Sequence, residues 1–164
     1  MKKILATVCL FGFGLSSMLP TYASVSVDVT VVVLARPPCV INNDQPIDVN
    51  FQDVMTSMVD GVAYQMPIPY TLICTGLASN DLRMMIQGTP TTFDDTAIQV
   101  TDRSNMGIRI INNGTPQQVG EWFDFTYSSP TSKPALYAVP VKQSGSTLTE
   151  GTFTATGLMV VEYQ

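Results

Sequence analysis

Two serine–lysine neighbours, Ser132-Lys133 and Lys142 with Ser144, come nearest in type and spacing to nucleophilic catalysis, because a deprotonated lysine can act as base toward a serine hydroxyl. Both lie in turn-forming Pro/Ser/Gly contexts, so no catalytic role is expected of them. Histidine is absent from all 164 residues. That removes the usual triad base and the commonest metal ligand together. Asp94-Asp95, with Asp102 nearby, could form a calcium loop or an acid pair. A calcium loop needs oxygen ligands at alternating positions around a glycine turn, and this order is missing, so solvated loops and no metal are expected. Asn113-Gly114-Thr115 matches a glycosylation acceptor, but Asn-Gly also signals a tight hairpin. Trp122, Phe123, Phe125 and Tyr127 could stack on a sugar, yet alternating aromatics of this kind more often build a core. The sequence points to no enzyme and no cofactor. What remains to carry function is backbone and shape.

The chain opens with Lys2 and Lys3, an apolar run from Ile4 to Leu19, and Thr21-Tyr22-Ala23. This is the order of a secretory signal, with cleavage expected after Ala23, and the run is short for a membrane span. Its loss would leave six basic residues against 13 acidic ones, a net charge of −7 instead of −5. An acidic surface repels phosphate, so no nucleic-acid partner is expected. With 45% hydrophobic and only 13% charged residues, the chain suits a protein that buries surface against neighbours. Cys9 would leave with the signal. Cys39 and Cys74 remain, and in an oxidising compartment a disulfide between them is expected. Closing a loop of about 35 residues is worth roughly 4 kcal/mol in the chain-entropy picture.

The elements are organised around residues 24–35. Val25, Val27, Val29, Val31 and Val33 recur at every second position, so an extended chain presents them as one apolar ridge. Ser24, Ser26, Asp28 and Thr30 occupy the opposite face, which turns apolar at Val32 and Leu34. Such a strand must find a sheet, in its own domain or in another molecule, or aggregate. Arg36-Pro37-Pro38 ends the ridge, because consecutive prolines cannot donate to a ladder.

Short strands follow at regular spacing. Ile47, Val49 and Phe51 alternate with polar residues and predict a half-buried strand. Met66, Ile68, Tyr70, Leu72 and Cys74 share a face of the next, with Pro67 and Pro69 at its entrance. Further strands are expected over Leu82–Gln87, around Ile98 and Val100, over Met106–Ile111, around Phe123, and over Ala135–Lys142. Asn113-Gly114 predicts a type I′ turn leading toward the Phe123 strand. A last strand is expected over Gly151–Gln164, with Phe153, Ala155, Gly157, Met159, Val161 and Tyr163 on one face. No segment reads as a helix longer than one turn. Seven or eight short strands predict an all-β sandwich.

These residues resemble a known family. The alternating arm, Pro-Pro-Cys39, Asp48-Val49-Asn50-Phe51, Cys74, Met106-Gly107-Ile108, Gly151-x-Phe153 and penultimate Tyr163 are similar to the pilins of the chaperone–usher pathway, and most like the minor tip subunits of type 1 and Pap-type pili. The resemblance spans the whole chain after the signal. It implies an incomplete immunoglobulin-like sandwich lacking its last strand, over residues 36–164, preceded by a donor-strand arm over residues 24–35. It further implies that a periplasmic chaperone first lends a strand to the resulting groove, and that an outer-membrane usher then exchanges it for a neighbouring subunit's arm. Carried over, the donor residues are Val25, Val27, Val29, Val31 and Val33. The groove and chaperone contacts are Gly151, Phe153, Ala155, Met159, Val161, Tyr163 and Gln164, the last through its carboxylate. Export through the periplasm to a cell-surface fimbrium is implied as well. Family arms commonly carry a glycine about seven residues before the first cysteine, where this chain has Val32 beside Val33. Either the register is displaced by one residue or the receiving groove admits a bulkier side chain.

The physical reading agrees with the resemblance. Five buried valines correspond to an upper estimate of about 8 kcal/mol from apolar area, and strand addition is an established way of joining chains. Two alternatives stand beside the minor-subunit reading. One is a major rod pilin, and the other is a closed secreted sandwich that binds a glycan or protein through its loops.

Overall fold

The computed structural model describes residues 37–164, so the expected signal and donor arm lie outside the described residues. Ten strands make up nearly all the regular structure: β1 (Cys39–Ile41), β2 (Met66–Pro67), β3 (Leu72–Cys74), β4 (Asp81–Gln87), β5 (Ala97–Val100), β6 (Arg103–Asn112), β7 (Thr115–Gln117), β8 (Trp122–Thr126), β9 (Leu136–Lys142) and β10 (Leu158–Tyr163). Among the described residues the helical content is two single 3-10 turns, Asn42–Asp44 and Thr56–Met58. All pairings are antiparallel. One sheet runs β10-β4-β8, a larger one β2-β9-β6-β5 with β7 added to β6, and β1 pairs with β3 alone. The result is an all-β, immunoglobulin-like sandwich with open sheet edges.

The alternating residues of the two sheets meet in the interior, as the period-2 pattern requires. Leu82, Met84 and Ile86 of β4 and Val161 of β10 pack against Ile98 of β5, Ile110 of β6 and Leu136 of β9. A second cluster joins Val100, Met106, Ile108 and Ala138 to Val59 and Leu148 from the connecting segments. Tyr70 is buried among these apolar residues, which pushes its phenol well above the ordinary value, and its hydroxyl donates to the Pro134 carbonyl at 2.6 Å. Tyr127 closes another gap, where its hydroxyl accepts the Cys74 amide at 3.1 Å.

Several expectations change in detail. The strand expected across Met66–Cys74 is divided, because Pro67 and Pro69 interrupt the ladder. Its first part pairs with β9 in the large sheet, and its last part pairs with β1. Asn113 and Gly114 form the expected two-residue turn, both at positive φ (47° and 83°), but the strand they lead into is β7. β8, carrying Phe123, instead crosses to the other sheet and pairs with β4. The hairpin signal specified the turn and not the length of the strand after it. Pro140 lies inside β9, opposite Ile108. It is tolerated because β2 covers β9 only at Tyr137 and Ala138, so that no described strand pairs with β9 at Pro140 on that side.

Cys39 lies directly opposite Cys74 in the β1–β3 register, and the two form the expected disulfide. Both half-cystines pack against the first core cluster.

Candidate functional site

The segment expected as a strand over Ile47, Val49 and Phe51 joins no sheet among the described residues. Its alternation survives, with Ile47, Val49 and Phe51 half-buried and Asp48, Asn50 and Gln52 exposed. The pattern therefore reports a face and not a ladder. Likewise the last strand is shorter than expected. β10 begins at Leu158, where β4 ends at Gln87, and residues 151–157 have no strand partner among the described residues.

These two unpaired segments are the walls of one long cleft. One reach, of about 890 Å³, lies among residues 48–54, Arg103, Met106, Leu148 and residues 150–153. The other, of about 720 Å³, has Ile47, Val49, Ala155, Gly157 and Met159 on its walls, and Ile86, Ile98, Ile108 and Ile110 on its floor. Asp48, Val49, Phe51 and Phe153 border both. The floor is thus the sandwich core itself.

Backbone direction completes the geometry. Along a strand, the N–H and C=O of alternate residues point to the same edge. The Gln164 amide donates to Asp81 at 3.2 Å, the Thr154 carbonyl accepts from the Thr101 amide at 2.8 Å, and the Thr152 carbonyl accepts from Arg103 Nη2 at 3.0 Å. Even-numbered residues therefore face β4 and the β5–β6 turn. The peptide groups of Phe153, Ala155, Gly157 and Met159 face the opposite edge, toward the cleft, where no described strand meets them. Unpaired backbone donors and acceptors beside an apolar floor are what an added strand satisfies.

Of the residues assigned to the groove from the sequence, Gly151, Phe153, Ala155 and Met159 border the cleft. Val161 is buried in the core, and Tyr163 packs on the same core cluster, with its hydroxyl accepting the Ala78 amide at 3.1 Å. Gln164 lies at the end of β10, its side-chain amide donating to the Leu82 carbonyl at 3.3 Å. Val25, Val27, Val29, Val31 and Val33 fall outside the described residues. Sequence reading missed the facing wall, since Ile47, Val49 and Phe51 were assigned to a sheet. It also missed Arg103, which nothing in the local pattern singles out.

The other chemistry-bearing residues are engaged in structure. Ser132 Oγ donates to the Ser129 carbonyl at 2.7 Å, while the Lys133 ammonium lies 4.1 Å from the Tyr70 ring centroid. Lys142 Nζ reaches the Thr56 carbonyl at 3.5 Å. Asp94 is fixed by Arg109 at 2.6 Å and by Thr96, and Asp95 accepts from Gln118 at 3.0 Å. The described residues hold no group of three or more His, Cys, Asp or Glu placed for a metal. Trp122 and its neighbours divide between environments and make no common platform. Phe123 and Phe125 pack on the core, whereas Trp122 lies under the Arg83 guanidinium at 4.6 Å, which also bonds Glu162 at 3.0 Å.

A sandwich whose apolar core opens into a cleft, with no described strand along the peptide edge of Phe153, Ala155, Gly157 and Met159, has the geometry of a strand-accepting β module. The family model described as "Fimbrial protein" matches residues 25–164, and the chain belongs to that family, the pilins of chaperone–usher pili. It is 40% identical over 138 residues to the uncharacterized fimbrial-like protein YfcR of Escherichia coli K12, covering 82% of this chain and 78% of that protein. It is 30% identical over 135 residues to the fimbrial-like protein YfcQ of the same strain, covering 80% and 83%. Among solved structures, the P pilus rod subunit PapA superposes with a TM-score of 0.64 at 20% identity, covering 77% of this chain and 99% of PapA. The P pilus adaptor subunit PapF gives 0.58 at 21%, covering 79% and 98%. The fold is therefore shared with both a rod subunit and an adaptor.

Proposed function

We propose that this chain is a minor, tip-region or adaptor subunit of an adhesive pilus, joined to its neighbours by donor-strand exchange and without enzymatic activity. The observation that carries the reading is the apolar cleft between residues 46–54 and 151–159, with the peptide edge of Phe153, Ala155, Gly157 and Met159 unpaired among the described residues. An incoming strand with apolar residues at alternate positions would cover the isoleucine floor and complete the ladder in one step.

In this account residues 1–23 are removed on export and residues 24–35 leave the domain as a donor strand. Val25, Val27, Val29, Val31 and Val33 then enter the cleft of another subunit. Before assembly a periplasmic chaperone fills this chain's own cleft and holds the Gln164 carboxylate, and an outer-membrane usher presents the exchange partner. Gly151, Phe153, Ala155 and Met159 contact the donated strand. Val161 and Tyr163 act from beneath by fixing β10. Nine methionines in the full sequence, seven of them beyond residue 23, the single Trp122 and the motif similarity to tip-region subunits favour a minor subunit over a rod subunit.

Immunogold labelling of isolated fibres tests the position. Label confined to fibre ends is expected, and label spread along the whole shaft would overturn the adaptor assignment in favour of a rod subunit.

A further inference from the structure

Where β4 stops at Gln87, the cleft wall that precedes β10 loses its ladder neighbour. Two groups from the β5–β6 turn take over. The Thr101 amide donates to the Thr154 carbonyl at 2.8 Å. The Arg103 guanidinium donates to three carbonyls at once, from Nη1 to Thr149 at 2.6 Å and from Nη2 to Glu150 at 3.2 Å and Thr152 at 3.0 Å. A planar fork with fixed donors can satisfy several carbonyls in one geometry, which a lysine cannot reproduce.

The turn is built for this position. The β5–β6 register shifts between Gln99 and Val100, and Asp102 takes a positive φ of 62°, which brings Val100 opposite Arg103. Gly151 matches it from the other side. Its φ is 119°, and a Cβ there would stand 3.1 Å from Arg103 Nη2. A side chain at 151 would therefore meet both backbone strain and the guanidinium.

We infer that Arg103 is a positioning residue for strand uptake: with Thr101 it replaces the missing ladder partner on the back edge of residues 149–154, so that the front edge of Phe153 and Ala155 is already set for an incoming strand. This rests on the donor-strand reading. The ordering cost of the wall is met before binding, and preorganisation of this kind speeds association. Once a strand is in place, its own ladder holds the wall and Arg103 contributes less.

The test uses the exported chain, residues 24–164, and a fluorescent peptide of sequence Ser24–Ala35 as probe, with uptake followed by anisotropy. In Arg103→Ala the association rate is expected to fall about tenfold, the equivalent of losing one charge-assisted hydrogen bond, with the dissociation rate little changed. Arg103→Lys is expected to recover only part of the rate. A second pair of proteins carries the same peptide sequence fused after Gln164. There Arg103→Ala is expected to leave the melting midpoint within a few degrees of its parent. Equal destabilisation of fused and unfused chains would reduce Arg103 to a general structural contact and overturn the inference. An unchanged association rate in Arg103→Ala, with the parent taking up peptide normally, would overturn the inference and leave donor-strand exchange intact. A parent chain that takes up no peptide, and whose melting midpoint the fused sequence also leaves unmoved, would overturn the donor-strand reading itself.

Discussion

Phe51 and Phe153 reach from opposite walls of the cleft and meet with ring centroids 6.1 Å apart and planes tilted by 33°. Both rings border both reaches of the cleft, so the pair marks the point where one reach passes into the other. A strand occupying the full length must displace this contact.

Such a ring pair contributes about 0.5–1.5 kcal/mol beyond its buried area. Phe51→Ala is expected to lower the melting point of the unfilled domain and to speed uptake of a donor peptide several-fold. Rapid-mixing fluorescence would measure the rate. Slower uptake would mean that Phe51 is a contact the donor needs and not a barrier to it.

Gly157 lies on the cleft wall beside the end of β4. A methyl group at this position would stand 2.8 Å from Ile98 Cδ1 and 3.1 Å from the Gln87 carbonyl oxygen. The isoleucine end can yield, but the backbone carbonyl cannot without displacing β4. Gly157→Ala is expected to cost about 1–3 kcal/mol and Gly157→Val more, measured by urea denaturation. An alanine variant as stable as its parent would show that the end of β4 adjusts freely.

The disulfide joins β1 to β3, a two-stranded unit outside the larger sheets. Replacing both cysteines by serine is expected to lower stability by about 4 kcal/mol, because the unfolded chain regains the freedom of a loop of about 35 residues. Equilibrium unfolding under oxidising and reducing conditions would check this. The parent should lose the same amount on reduction, and the double variant should not respond.

Asp94 gives a pH signature. Burial pushes its carboxyl upward, but hydrogen bonds from Thr96 and Arg109, together with the Arg109 charge, outweigh burial and hold it below the usual carboxylate range. A depressed folded value means the stabilisation is fully present above the unfolded value of about 3.9 and is lost as pH falls through the folded one. Stability is therefore expected to be flat in this respect near neutrality and to drop below about pH 4. Asp94→Asn should be less stable at pH 7 and show a shallower acid decline. An unchanged acid slope would assign the decline to other carboxylates.

Much of this was legible in the sequence because period-2 alternation depends only on which face is apolar. β4, β5, β6 and β9 fall within a few residues of the segments where Leu82, Ile98, Met106 and Leu136 alternate or run with apolar neighbours. The same property explains the failure at Ile47, Val49 and Phe51. Alternation shows that one face is covered but not whether a backbone neighbour exists, and there the covering is the cleft floor. The shortened β10 has the same origin, since a ladder needs a partner of equal length and β4 ends at Gln87. Arg103 was invisible because its function depends on three carbonyls over forty residues away in sequence. No local pattern records such a contact.

The central claim is that this sandwich lacks a strand and accepts one. The most direct measurement is the thermal melt of Arg36–Gln164 alone and with residues 24–34 fused after Gln164 through a short turn. If five valines supply most of an upper estimate of about 8 kcal/mol, the fused form should melt about 20 °C or more above the unfused one. An unfused domain already stable, with a midpoint unmoved by fusion, would contradict the claim and identify the domain as a closed sandwich.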